Sequence, residues 1–174
     1  MTKSVLNAFP PVTNSQARIL ILGSMPGVVS VKHQQYYAHP SNAFWKIMQE
    51  LFSVKMDAEY SQKIQQLSAC GIALWDVAKQ CVRQGSMDAA IEDNSIVVNN
   101  FEAFFRDFGL IHNVFFNGAK AAQIYQKHVL QKIRLIKPDL QYQQLPSTSP
   151  ANARMSLRQK IVAWEVVKQA LYEE

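Results

Sequence analysis

Cysteine is scarce: Cys70 and Cys81 are the only two in 174 residues. They are too few for a disulfide framework and lie outside metal-ligand spacing, so both are expected as reduced thiols. The four histidines, His33, His39, His112 and His128, show no paired helical spacing either, which argues against a zinc site. No apolar stretch approaches a membrane span, and Met1-Thr2-Lys3-Ser4-Val5 lacks the apolar core of a signal peptide, so a cytoplasmic protein is expected. Charged residues make up 18% against 48% hydrophobic, a balance that excludes disorder and suits a globular chain. No repeat, low-complexity tract or linker divides it. Residues 1–174 are expected to form one domain large enough for a full core, and a monomer, since nothing in the sequence requires an oligomer.

What is present is concentrated in residues 19–45. Ile19-Leu20-Ile21-Leu22 is a run of four apolar residues that stops at Gly23, the pattern of a strand buried on both faces and ending in a turn that a ligand can approach. The turn is Gly23-Ser24-Met25-Pro26-Gly27. It is not a nucleotide phosphate loop, because Lys-Ser/Thr is missing after Gly27, and its glycines do not keep dinucleotide spacing. Ser24 is not flanked as in a nucleophile elbow. Tyr36-Tyr37-Ala38-His39-Pro40-Ser41-Asn42-Ala43-Phe44-Trp45 follows, and supplies aromatic rings with polar tips.

Further along, helical spacing of Phe44, Ile47, Met48 and Leu51 predicts a helix starting near Pro40-Ser41, and a second spans about 57–69. Strands are predicted at 72–75, 111–116 and 140–145, and helices over the Phe101–Phe108 region, 118–130 and 156–172. Residues 1–17 look like an extended lead-in, and 79–99 like an irregular surface excursion. Strands alternating with helices imply a parallel sheet covered on both faces. In an open sheet of that kind, ligands bind beyond the carboxyl ends of the strands. The net charge of +5 lies wholly in residues 111–174, where nine basic residues face four acidic ones. A solvated helix face would account for it, and so would attraction to a phosphate backbone.

Four blocks carry a family resemblance. They are the turn with its aromatic sequel, Gly71-Ile72-Ala73-Leu74-Trp75-Asp76-Val77, Phe115-Phe116-Asn117-Gly118-Ala119-Lys120, and Leu145-Pro146-Ser147-Thr148-Ser149-Pro150-Ala151-Asn152. In this order they resemble the uracil-DNA glycosylase superfamily, and are most similar to its sixth family, the hypoxanthine-DNA (DNA-deoxyinosine) glycosylases. The resemblance implies a three-layer α/β/α sandwich around a central, mostly parallel four-stranded sheet. It implies an enzyme that extrudes a deaminated base from double- or single-stranded DNA and hydrolyses its N-glycosidic bond without metal or cofactor. Some superfamily members hold an iron–sulfur cluster on four cysteines, which this chain lacks.

The resemblance also implies roles. Gly23, Ser24, Met25, Pro26 and Gly27 would form the base pocket, with Tyr36, Tyr37 or Phe44 stacking on the base, although each aromatic can instead belong to the core, Phe44 most of all because it falls on the helix. Asp76 would read it, unless it caps a helix or forms an ion pair; as a carboxylate it would accept the N1–H of hypoxanthine. Met25 stands where the mismatch-specific branch has a water-positioning asparagine, and Leu145 where the uracil-specific branch has a histidine. Catalysis therefore falls to Asn42 and Asn117, with His39 as a donor to the leaving purine, although either asparagine can instead serve as a cap or turn residue. Ser147, Thr148, Ser149, Pro150, Asn152 and Arg154 would contact DNA, hydroxyls and backbone amides gripping phosphates ahead of Arg158. Lys32 and Lys120 are not evidently placed for a Schiff base, so a monofunctional enzyme is expected. The rival expectations are a uracil or mismatch-specific glycosylase and a non-catalytic nucleic-acid-binding module of the same fold.

Overall fold

The apolar run beginning at Ile19 is a fully buried central strand in the computed structural model, which describes residues 4–173. This strand, β2 (Ile19–Gly23), lies between β3 (Ile72–Asp76) and β6 (Asn113–Asn117), and β7 (Gln141–Leu145) forms the far edge. All pairings in this four-stranded sheet, ordered β3-β2-β6-β7, are parallel. The register places Gly23 opposite Asp76 and Asn117 opposite Leu145, so the carboxyl ends of all four strands meet at one edge of the sheet.

Alternation along β2 divides the core in two. Ile19 and Ile21 pack under α2 (Phe44–Phe52), α3 (Tyr60–Ala69) and α7 (Leu157–Tyr172), against Phe44, Ile47, Leu67 and Trp164. Leu20 and Leu22 pack under α4 (Phe101–Asp107), α5 (Ala119–His128) and α6 (Leu130–Ile136), against Phe101, Ile124, Tyr125 and Ile133. The result is the expected α/β/α sandwich. Capping accounts for two helix starts. The Asn100 side chain accepts the Ala103 N–H, and Ser156 and Gln159 form a reciprocal capping box at α7.

The excursion expected at 79–99 is partly regular. It holds β4 (Ala78–Val82) and β5 (Val97–Val98), which join β1 (Val5–Asn7) in a three-stranded antiparallel sheet ordered β1-β4-β5. Lys79 and Gln80 dilute the alternation of β4, and β5 is two residues long, so neither shows a clear period. A short α1 (Val28–His33) also lies inside the first loop. The α2 helix begins at Phe44 rather than at Pro40-Ser41, and the predicted 118–130 helix is followed by a separate α6, with Val129 between them.

Candidate active site

A cleft of about 580 Å³ opens at the carboxyl edge of the parallel sheet. The turn 23–27, Tyr36, Tyr37, His39, Asn42, Asp76, Asn117, and the loop residues Ser147, Thr148, Ser149, Pro150, Asn152 and Arg154 all line it. One expected residue does not: Phe44 is fully buried in the core and does not border the cleft. Helical phase turns it inward, where it packs edge-on against Trp45 and Trp164 and face-on against Tyr37, with centroids 4.0 Å apart and planes at 23°.

The floor is built around Gly23. A Cβ there would lie 2.5 Å from Asp76 Oδ1 and 3.3 Å from the Tyr37 hydroxyl, so only glycine admits this approach. Asp76 Oδ2 and the Tyr37 hydroxyl are both buried without a hydrogen-bond partner, which is costly for polar atoms. Burial, reinforced by the Asp88 carboxylate and opposed by the Arg83 guanidinium, pushes the Asp76 carboxyl up to about 7. Burial and the charge of Asp76 also raise the Tyr37 hydroxyl above the ordinary phenol range. Tyr37 itself holds a left-handed backbone (φ 56°), unusual for a bulky residue. Tyr36 faces elsewhere: its hydroxyl donates to the Pro10 carbonyl (2.9 Å), and its ring packs edge-on against Phe9.

Asn42 borders the cleft and also serves the start of the following helix. Its Oδ1 accepts the Phe44 N–H (2.9 Å) at the start of α2, which leaves the Nδ2 donor for the cleft. His39 is exposed at the rim, and its Nδ1 accepts the Ser41 N–H (3.1 Å), so a neutral ring carries its proton on Nε2. Asn117, at the end of β6, is buried and clamps the neighbouring loop. Its Nδ2 donates to Thr148 Oγ1 and its Oδ1 accepts the Thr148 N–H, both at 2.9 Å. One Nδ2 hydrogen remains for another acceptor.

The backbone amides expected to grip phosphates are engaged within the 146–152 loop. The Thr148 N–H goes to Asn117, the Ser149 N–H to Ser147 Oγ (3.2 Å), the Ala151 N–H to Ser149 Oγ (3.2 Å) and the Asn152 N–H to the Ser149 carbonyl (3.0 Å). Because Ser147 and Ser149 accept at oxygen, their hydroxyl hydrogens stay free to donate outward. Gly118 holds a positive φ of 95°, and a Cβ there would meet Ser147 Cβ at 3.0 Å.

Sequence reasoning missed one wall. The excursion between β4 and β5 brings Ser86, Met87, Asp88 and Ala89 to the cleft. Buried Arg83 anchors it, donating to the carbonyls of Pro26, Met25 and Gly85. Ser24 Oγ donates to Asp88 Oδ1 (2.6 Å), and the Val28 N–H to Ser86 Oγ (2.9 Å). Gly85-Ser86-Met87-Asp88, a polar turn following a strand, was the available signal. Met25 packs into the small core beneath this wall with Ala78, Cys81 and Ile91. Among the described residues no cluster of three or more His, Cys, Asp or Glu side chains could hold a metal, and no helix is long and apolar enough to cross a membrane.

The sequence profile of the Uracil DNA glycosylase superfamily matches residues 10–168. A protein named Hypoxanthine DNA glycosylase from Methanosarcina acetivorans is 34% identical over 164 residues, which cover 94% of this chain and 98% of its own length. Another of the same name, from Methanosarcina barkeri, is 37% identical over 116 residues, covering 66% of this chain and 72% of that protein. The solution NMR structure of an M. acetivorans protein proposed to be a uracil DNA glycosylase superposes with a TM-score of 0.80 at 33% identity, covering 98% of this chain and all of the other. A profile match across nearly the whole chain, with one relative aligned almost end to end, goes beyond a shared sandwich: the chain belongs to the uracil DNA glycosylase superfamily.

Proposed function

We propose that the protein is a monofunctional DNA glycosylase that removes hypoxanthine from deoxyinosine in DNA and leaves an abasic site, the first step of base excision repair. The carrying observation is the pair of unpartnered polar groups on the cleft floor, Asp76 Oδ2 and the Tyr37 hydroxyl, beside Gly23. Deamination turns the N1 of adenine from an acceptor into a donor, and its C6 substituent from a donor into an acceptor. An ionised Asp76 accepts from N1–H and Tyr37 donates to O6, whereas adenine would set its N1 lone pair against the carboxylate. Tyr37 reads rather than stacks, because Phe44 covers one face of its ring. Both polar atoms are sealed from solvent, so the Tyr37 side chain shifts to admit the base edge. Uracil presents the same donor–acceptor edge; the names of the two relatives favour hypoxanthine.

Asn42 Nδ2 and His39 Nε2 are the donors placed to orient water or neutralise the departing purine. Asn117 acts chiefly by positioning the 146–152 loop, with one donor to spare. The hydroxyls of Ser147 and Ser149, together with Arg154, meet DNA phosphates. Among the described residues no lysine lines the cleft, which supports hydrolysis by water over a Schiff base. The proposed setting is a cytoplasmic monomer acting on DNA.

The test incubates the protein with end-labelled duplexes carrying deoxyinosine, deoxyuridine or no lesion, and scores strand breaks after alkali. Cleavage confined to the inosine duplex, and lost in Tyr37→Phe and Asn42→Ala, is the expected result. Cleavage chiefly at uracil would reassign the base, and binding without cleavage would favour a non-catalytic module.

A further inference from the structure

Hydrolysis of a nucleoside needs more than a reader for the base. Positive charge grows on the sugar as the glycosidic bond stretches, and the attacking water has to lose a proton. Among the described residues, Asp76 and Asp88 are the only acidic ones lining the cleft. Asp76 lies on the floor, 3% exposed, beside the groups assigned to the base edge. Asp88 is half-buried on the wall, carried by the excursion after β4. One of its oxygens is fixed by Ser24, a buried residue directly after Gly23, at 2.6 Å. Its other oxygen has no hydrogen bond among the described residues. A carboxylate held at one oxygen and free at the other is aimed.

A plain latch between wall and turn would not need a charge, since a neutral amide would accept from Ser24 equally well. Nor is a latch lacking: Arg83 already ties the wall to the carbonyls of Met25 and Pro26. The negative charge of Asp88 also works against its neighbour, since it disfavours ionisation of Asp76.

We propose that Asp88 is a catalytic carboxylate of this cleft, its free oxygen stabilising the cationic sugar and taking the proton of the attacking water. The inference rests on the glycosylase reading above. In the step, the water oxygen bonds to C1′ and the C1′–N9 bond breaks with its electron pair going to the purine. The water proton passes to Asp88, which returns it to solvent, and the purine anion takes up a proton as it leaves.

The test measures single-turnover excision from a deoxyinosine duplex by the full chain, with binding to the same duplex followed by fluorescence anisotropy and folding by thermal melting. Asp88→Asn keeps an acceptor for Ser24 and loses the charge; its rate is expected to fall ~10²–10³-fold with binding unchanged. Asp88→Glu keeps the charge and is expected to exceed Asp88→Asn by about tenfold. An Asp88→Asn rate equal to the parent's overturns the inference, and so do equal losses in both variants accompanied by weaker binding or a lower melting point. A parent inactive on every lesion overturns the glycosylase reading and this inference with it. An active parent with an unimpaired Asp88→Asn overturns the inference alone.

Discussion

The 146–152 loop and the excursion that follows β4 both border the cleft, and they are secured in different ways. The loop is held from behind by the core. Trp164 Nε1 donates to the Pro146 carbonyl (3.0 Å), Asn117 clamps Thr148, the Ala43 N–H reaches the Thr148 carbonyl (2.9 Å), and Lys160 Nζ the Ser149 carbonyl (3.4 Å). Trp164 and Thr148 have no exposed surface. The excursion is exposed over residues 84–87 and is stitched to the turn by polar contacts from Arg83, Ser24 and Ser86, with only Ile91 as a buried apolar anchor. Fastening to the core makes a loop part of the global fold, whereas surface polar stitching leaves it to open locally. Changes in the first loop should therefore cost stability together with activity, and changes in the second should cost activity far more than stability.

The largest expected effect concerns the floor between them. The Asp76 carboxyl is raised to about 7 in the folded protein, above its value in an unfolded chain. Its contribution to stability is therefore fully present below about pH 4 and is lost as pH rises through 7. Thermal melting between pH 5 and 8 should show a falling midpoint that flattens in Asp76→Asn, while excision, which needs the ionised form, rises over the same window. Asp88→Asn, which removes the neighbouring charge of the excursion, should move both trends to lower pH.

Next comes Asn117→Ala, which strands the buried N–H and hydroxyl of Thr148 and is expected to cost about 2–4 kcal/mol of unfolding free energy by denaturant titration, along with activity. Arg83→Met is the counterpart in the excursion. Exchanging the buried guanidinium for an apolar chain leaves the Pro26 and Met25 carbonyls without their donor and should cost about 1–2 kcal/mol, less than Asn117→Ala, while excision falls ~10²-fold as the wall loosens. A large drop in melting temperature for this variant would erase the contrast between the two loops. A smaller effect is expected for Trp164→Phe, which keeps one aromatic ring in the core but loses part of its packing and one donor, at about 1–2 kcal/mol in a thermal melt.

The strands were legible because their signal is local. Ile19 to Leu22 is apolar without a break and stops at a glycine, and Phe44, Ile47, Met48 and Leu51 repeat with the helical period whatever surrounds them. The same local logic misled at β4 and β5, where polar residues and short length hide the period, and at α1, a six-residue helix inside a loop. Phe44 shows the limit most clearly. Its helical spacing favoured a core position in α2, its place in the first block made it a stacking candidate as well, and the structure buries it.

By itself, the sequence determined a parallel sheet covered on both faces and the edge where the cleft lies, because strand ends follow from hydrophobic runs and ligands gather beyond them; its resemblance to a family supplied most, though not all, of the lining residues. Only the tertiary structure decided what those residues touch. Asn117 and Thr148 are 31 positions apart, and Ser24 and Asp88 are 64 apart. Such partners are chosen by how layers and loops pack around the sheet, a long-range outcome on which residue period and local propensity carry no information.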